Sequence, residues 1–417
     1  MIKELEIKRL FGRFNYNILF KDDKLSILTG PNGYGKSTIL KIIDSFNNFN
    51  LDYFFTIDFE EIIITFSNIK FNITKCTQGI KINDVVFEKE KKVKRDQINE
   101  YLIYKKIFDY ENITSLDKNV VEMYINDYYN KIRFEEIIRL NKNSKGKAKR
   151  KVMDVANDMK KFVEKTYFIK EQRLLKTKIN NDKNEFINTI EQLPENFRNI
   201  LSKLSEEYSQ KSNKLDSTYP ERLFATKEGI NEEEYREKMI EMGNKFDKLK
   251  KYDISDKSVL TNLIFNSEHS KALKIYFEDF DEKYKVYQEY ILLFDLYTEI
   301  LNERLSFKKI KISKELGLIV HDVDNENKRI ELSQLSSGEK QEIILFFELI
   351  FDTDTDTILL IDEPEISLHI AWQKKFIDDL LRILEKKNFR VILATHSPQI
   401  ISNHWDRQID LGELYVK

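Results

Sequence analysis

The chain has one cysteine, Cys76, among 417 residues, so it can form no internal disulfide and build no cysteine-rich zinc site. Histidine is nearly as scarce, with five scattered residues and neither a His-Asn-His string nor zinc-ligand spacing. No uncharged apolar run approaches the ~20 residues that span a bilayer. The start, Met1-Ile2-Lys3-Glu4-Leu5, shows neither an apolar signal core nor an Arg/Ser-rich transit pattern. Net charge is almost absent: 69 Lys plus Arg stand against 71 Asp plus Glu, leaving −2, which argues against simple coating of nucleic acid. What is present is 34% charged, 41% apolar and 12% aromatic, too apolar for a disordered chain and too charged for a membrane protein. The expectation is a cytoplasmic protein with no membrane partner, folded as one large domain or two to three ordinary ones.

Glycine is also short: 11 residues where average usage of about 7% would give roughly 29. Four of the eleven fall in two short motifs. The first is Gly30-Pro31-Asn32-Gly33-Tyr34-Gly35-Lys36-Ser37, followed by Thr38. It matches G-x-x-x-x-G-K-[ST], with the apolar run Leu25–Leu28 before it and helical spacing at Ile39, Leu40, Ile42 and Ile43 after it. Glycines let such a loop wrap so that its N–H groups face phosphate oxygens at the positive end of the helix. Lys36 would reach the β- and γ-phosphates of ATP, and the Ser37 hydroxyl would take a place on Mg²⁺. The second chemical motif is Thr357 to Pro364, an apolar run delivering Asp362 and Glu363. It fits a Walker B strand, with Asp362 on Mg²⁺ and Glu363 polarising the attacking water.

The remaining pattern divides the chain into three. Residues 1–90 have strand character around one early helix and are expected to be the N-terminal lobe of an α/β head. Residues 91–305 are rich in Lys, Glu and Asn, with apolar residues at helical spacing. Their clearest seam runs Leu273, Phe277, Phe280, Tyr284, Tyr287, Ile291, Phe294, Leu301, Leu305, with only Thr298 breaking it. It suits either a protruding antiparallel coiled coil or helices packed as a bundle, and Pro194 and Pro220 are expected to break the region into pieces. Residues 306–417 return to strands and form the C-terminal lobe. The basic run Arg139–Lys151, centred on Lys142–Lys151, holds no acidic residue and reads either as a nucleic-acid contact or as a solvated loop. Asp352-Thr353-Asp354-Thr355-Asp356 reads as a polar loop, with metal binding the alternative.

The second glycine motif, Leu335-Ser336-Ser337-Gly338-Glu339-Lys340-Gln341, stands ahead of Walker B. Here the sequence resembles the ABC-type ATPases of the SMC, Rad50 and RecF branch. The resemblance implies an ABC-type P-loop ATPase head built from both chain ends, with a large helical insertion. It also implies that Ser336, Ser337 and Gly338 bind the γ-phosphate of ATP held by a second copy, and hence homo-oligomers formed through head dimerisation. Ser337 and Glu339 replace Gly and Gln of that family's pattern, and as a lone string Ser336-Ser337-Gly338-Glu339 reads instead as a helix N-cap of Ser-x-x-Glu type. His396, in Ala394-Thr395-His396-Ser397-Pro398, takes the place of the switch histidine on the γ-phosphate. His369 stands where the family's D-loop has Asp. Gln172 is the candidate Q-loop residue on Mg²⁺, with a solvated turn as the alternative, and Arg13 a candidate contact to base or ribose.

The strings Leu335–Gln341, Ile361–Gln373 and Ala394–Asp406 resemble more closely the ATPases of bacterial antiphage defence of the Septu PtuA and PARIS AriA kind. That resemblance implies a sensor and scaffold subunit controlling a separate effector nuclease or toxin. The alternative is a repair ATPase acting directly on DNA. The 19 residues after Pro398 are too few for a trailing Toprim nuclease domain, so none is expected.

Overall fold

The computed structural model describes residues 2–21, 24–77, 79–83, 85–88, 147–169, 175–180, 183–255, 264–325 and 328–415. The chain divides into two compact units, Met1–Arg173 with Phe351–Lys417, and Leu174–Ile350. The expected boundaries after residues 90 and 305 each fall inside a unit.

The first unit is built on two sheets. Five parallel strands lie in the order β16 (Gln408–Asp410), β3 (Leu25–Thr29), β15 (Arg390–Ala394), β14 (Thr357–Asp362) and β8 (Lys165–Ile169). β3 is buried along its whole length, and β14 and β15 along all but one residue each. That two-sided burial is why they read as continuous apolar runs. β8 comes from the stretch expected to be helical insertion, yet Lys165–Ile169 pairs with Thr357–Ile361 as a sheet edge.

The other sheet is antiparallel, in the order β2 (Phe14–Leu19), β1 (Ile2–Leu10), β4 (Glu61–Phe66), β5 (Lys70–Cys76), β6 (Gly79–Ile82) and β7 (Val85–Glu88). Alternation in β4 turns Ile62, Ile64 and Phe66 inward. Helix α1 (Lys36–Asn47) packs against β8, β14 and β15. Its Phe46 ring also meets Phe66 and Phe71 of the antiparallel sheet, at centroid distances of 6.1 and 5.2 Å. One core therefore joins both sheets through α1. Phe54 of α2 (Asp52–Thr56) and Met159 of α3 (Lys147–Phe162) complete it.

The second unit opens with a hairpin, β9 (Leu175–Asn180) and β10 (Lys183–Asn188). Three long helices follow, α4 (Thr189–Ala225), α5 (Glu232–Lys251) and α6 (Ser270–Asn302). α4 runs antiparallel to α6: Phe197 meets Tyr297 (5.3 Å), Tyr208 meets Tyr287 (5.5 Å), and Lys211 pairs with Glu282 (2.7 Å). α5 runs parallel to α6, through Tyr235 on Phe277 (5.9 Å) and Phe246 on Phe280 (4.8 Å). Most of the predicted seam, Phe277, Tyr284, Tyr287, Ile291, Phe294 and Leu301, lies on the buried face of α6, and Thr298 continues it, donating its hydroxyl hydrogen to the Phe294 carbonyl (2.8 Å).

The prolines do not break the helices. Pro194 and Pro220 both lie inside α4, continuous over 37 residues. Pro194 sits in its second turn and Pro220 in its last two, and the packed seam outweighs the lost backbone bonds. α4 also seats tightly on the small antiparallel sheet β11 (Lys308–Ser313), β12 (Gly317–Asp322), β13 (Arg329–Ile330). A Cβ at Gly317 (φ +70) would come within 1.9 Å of the Pro194 carbonyl oxygen. These strands, expected as part of the C-terminal lobe, thus belong to the helical unit. The unit ends on α7 (Ser337–Phe347), tied to the C-terminal end of α6 by a buried ion pair, Arg304 Nε to Glu342 Oε1 at 2.7 Å.

Candidate functional site

Because the five strands run parallel, the segments after β3, β14 and β15 leave from one edge of the sheet, where ligands of such sheets bind. Register places Leu28, Ala394 and Asp362 side by side. The Glu363 N–H donates to Ala394 O (2.9 Å) and the Thr395 N–H to Leu28 O (3.0 Å). Three sequence-distant segments are thereby locked together: the glycine loop, the Asp362–Glu363 pair and the His396 loop.

The glycine loop has the backbone its sequence demands. Gly35 is in the left-handed region (φ +86), and a Cβ there would lie 3.0 Å from Leu10 Cδ2 and 3.4 Å from Phe11 Cε2, so only glycine turns the chain into α1 at this point. No side chain caps α1 and its first turn holds no acidic residue. The buried Lys36 Nζ donates to the carbonyls of Gly30 (2.9 Å) and Pro31 (3.4 Å). Tyr16 donates its hydroxyl hydrogen to Tyr34 O (2.8 Å), and Phe14 lies against the Tyr34 ring (5.0 Å). Thr38 hydrogen-bonds Tyr53, whose hydroxyl is pushed up by burial despite that bond. Asn32 and Gly33 are exposed. Arg13 is exposed too, in the turn whose Phe11 covers Gly35, with its backbone N–H on Leu10 O (3.1 Å).

The Ser37 hydroxyl donates to Asp362 Oδ1 at 3.0 Å, bringing together the two residues expected on Mg²⁺. Both are hard oxygen donors, and Mg²⁺ is commonly held by one or two protein oxygens, with water and substrate phosphate filling its other positions. Among the described residues no group of three or more His, Cys, Asp or Glu is placed to hold a metal ion; the fit to Mg²⁺ rests on the paired Ser37 and Asp362 oxygens. Asp354 of the Asp352–Asp356 loop is instead paired with Lys165. Glu363 is left-handed (φ 45, ψ 59), a conformation unfavourable for residues with a Cβ and concentrated at functional sites. Its Oε1 lies 3.3 Å from His396 Nδ1.

Sequence reasoning missed two residues here. Glu365 is buried, and its Oε1 accepts from Thr395 Oγ1 (2.6 Å), His396 N (3.0 Å) and Ser397 N (3.2 Å). Gln373 closes the short helix α8 (Ile370–Gln373). It donates to the carbonyls of Glu365 (3.3 Å) and Leu368 (3.1 Å) and accepts from Ser397 Oγ (2.8 Å). The only sequence signal for Glu365 is the presence of a third carboxylate two residues past Asp-Glu, and Gln373 carries none. His369, at the D-loop position, caps α8 by accepting the Ala371 N–H on Nδ1 (3.3 Å). Behind it α9 (Phe376–Lys386) buries Phe376, Leu380 and Ile383, and α10 (Pro398–Ile401) follows the His396 loop.

Ser336, Ser337 and Gly338 lie in the second unit, at the start of α7. Ser336 Oγ accepts from Glu339 N (3.3 Å), and Glu339 Oε2 accepts from Ser336 N (2.8 Å), a reciprocal capping box. A Cβ at Gly338 would meet nothing within 4 Å, so packing does not require that glycine. Gln172 lies outside the described residues, as do residues 139–146 of the basic run; 147–151 open α3. Among the described residues no helix is long and apolar enough to cross a membrane.

A family model described as an AAA ATPase domain, AAA_15, matches residues 1–401. A probable ATPase of retron Ec83 from Escherichia coli is 28% identical over 169 residues, 35% of this chain and 30% of that protein. UvrABC system protein A of Aquifex aeolicus is 36% identical over 109 residues, 25% of this chain and 11% of that protein. The chain thus spans less than a third of either relative's length. A solved Smc head bound to the C-winged helix domain of ScpA aligns over 96% of this chain and 91% of its own at 11% identity, with a TM-score of 0.38.

Proposed function

The chain belongs to the AAA_15 family of AAA ATPase domains, and from that premise we propose that it is an ATPase of the ABC/SMC-like type, the sensor and scaffold subunit of an antiphage-defence complex, hydrolysing ATP to control a separate effector nuclease or toxin. The observation that carries the catalytic part is the convergence of Ser37, Asp362, Glu363 and His396 on one sheet edge, with the Ser37–Asp362 contact at 3.0 Å. The strings Ile361–Gln373 and Ala394–Asp406 support the defence role by their resemblance to such ATPases.

In this reading the N–H groups at the start of α1 and the Lys36 ammonium hold the phosphates of ATP. Ser37 and Asp362 would hold Mg²⁺, which would supply neutralising positive charge to the phosphates. Glu363 accepts a proton from water as that water attacks the γ-phosphorus in line. The bond to the bridging oxygen breaks, leaving ADP and phosphate. His396 hydrogen-bonds a γ-phosphate oxygen, and Ser336, Ser337 and Gly338 of a second copy close the site. The helices α4–α6 would relay head engagement to the effector.

Glu363→Gln should keep ATP binding while lowering turnover by about 10²–10⁴-fold, the usual yield of a positioned general base. Full turnover by this variant would sink the assignment. The same variant, purified with ATP from its native host and weighed by native mass spectrometry, tests the role. A stoichiometric nuclease or toxin supports the scaffold. A dimer carrying DNA and no protein partner would replace it with a repair ATPase.

A further inference from the structure

Glu365 is not explained by nucleotide binding. Its side chain, 7% exposed, is engaged by the segment after β15. Three donors from three consecutive residues converge on one of its oxygens: the Thr395 hydroxyl at 2.6 Å, the His396 N–H at 3.0 Å and the Ser397 N–H at 3.2 Å. The same oxygen is 3.5 Å from His396 Nδ1, while Glu363 Oε1 is 3.3 Å from that nitrogen. Gln373 fastens the segment from the other side, holding Ser397 Oγ at 2.8 Å and the Glu365 and Leu368 carbonyls at 3.3 and 3.1 Å. One carboxylate and one amide, both from the chain just past Asp362–Glu363, therefore fix the loop that carries His396.

We infer that Glu365, with Gln373, is a positioning clamp that sets His396 against Glu363 and so fixes the geometry of the γ-phosphate site from the post-Walker B segment. The inference rests on the ATPase reading above for its catalytic consequence, though the clamp itself does not. Buried, charge-assisted hydrogen bonds are the strong ones, and removing the shared acceptor strands the Thr395 hydroxyl and the His396 N–H, while the Ser397 N–H keeps Thr395 Oγ1 at 3.0 Å. His396 is 43% exposed on its side chain, so little else packs it in place. A displacement of about 1 Å in a reacting constellation costs up to about 10²-fold in rate.

The test is a double-mutant cycle with hydrogen exchange. Glu365→Ala should lower kcat for ATP by about 10–100-fold while leaving KM for ATP within about threefold, since the glycine loop is untouched. Glu365→Gln, which keeps an acceptor for the loop, should restore most of the loss. Glu365→Ala added to His396→Ala should cost nothing further, because the carboxylate acts through the histidine. Amide exchange over residues 395–397 should speed up in Glu365→Ala and stay slow in Glu365→Gln. Multiplying losses in the cycle, or unchanged exchange in Glu365→Ala, would overturn the clamp. A wild-type chain that turns over no ATP, yet whose loop amides respond as stated, would remove the ATPase reading and leave the clamp standing.

Discussion

Two helices of this molecule begin at motifs expected to receive phosphate, and they begin in opposite ways. α1 starts at a left-handed glycine, with no capping side chain and no acid in its first turn. α7 starts at Ser336, with a complete capping box and Glu339 in its first turn, itself paired with Lys308 at 2.6 Å. Every helix start leaves N–H groups without intrahelical partners. At α1 no side chain competes for them and a lysine stands beside them. At α7 the protein has satisfied part of the need itself. In the proposed reading, the start that takes an anion within its own unit leaves its caps out, whereas the start completed by a second copy keeps a cap until that copy's phosphate arrives.

The largest effect should come from the uncapped end. Lys36→Ala removes the one charged side-chain donor of the glycine loop, and hydrogen bonds to charged groups contribute about 1.5–3 kcal/mol each. Nucleotide affinity should fall by about 100-fold or more, measured by titration with a fluorescent ATP analogue, with the far-ultraviolet circular dichroism unchanged. Undiminished binding would mean that α1 is merely an uncapped helix.

At the capped end the balance should invert, with stability suffering more than nucleotide affinity. Ser336→Ala deletes the acceptor for Glu339 N, and loss of such a cap costs about 1 kcal/mol. For a unit of this size that is a fall of about 2–4 °C in melting temperature. Affinity for ATP in the isolated chain should not change, while ATP-dependent assembly weakens. A drop in monomer affinity would show that the α7 start already serves its own chain's nucleotide.

Much of this contrast is legible in the amino-acid sequence alone. β3, β14 and β15 are buried on both faces, so their apolar runs announce themselves, and a glycine-poor chain makes its glycine loop conspicuous. Glu365 is not legible there, because its role depends on Thr395–Ser397, thirty residues away, and on register between β14 and β15. Pro194 and Pro220 mislead for a related reason. A proline's cost is local, while the packing that keeps α4 continuous comes from α6 and β12. β8 is hidden by its neighbours: five strand residues stand between helical and polar sequence, and only pairing with β14 defines them. Ser336–Glu339 is legible twice over, as a signature and as a cap, and the geometry contains the cap.

The smallest effect belongs to Glu339, and it separates those two roles. Burial raises its carboxyl, but the Lys308 ammonium and the Ser336 N–H and hydroxyl outweigh burial and hold it below the ordinary value of 4.5. A carboxyl depressed by folding adds stability above its unfolded value and loses it as pH falls through the folded one. Glu339→Gln should therefore cost a few tenths of a kcal/mol near neutral pH, the scale of a partly exposed ion pair, and the difference from wild type should shrink as urea melts are taken below pH 4.5. The same change removes a negative charge from the first turn of α7, where charge opposes an incoming phosphate. ATP-dependent assembly of the Glu339→Gln form should thus tighten by a few-fold, even as the folded chain weakens slightly. If assembly weakens together with stability, the carboxylate is part of the receiving surface, and the contrast between the two helix starts is one of degree.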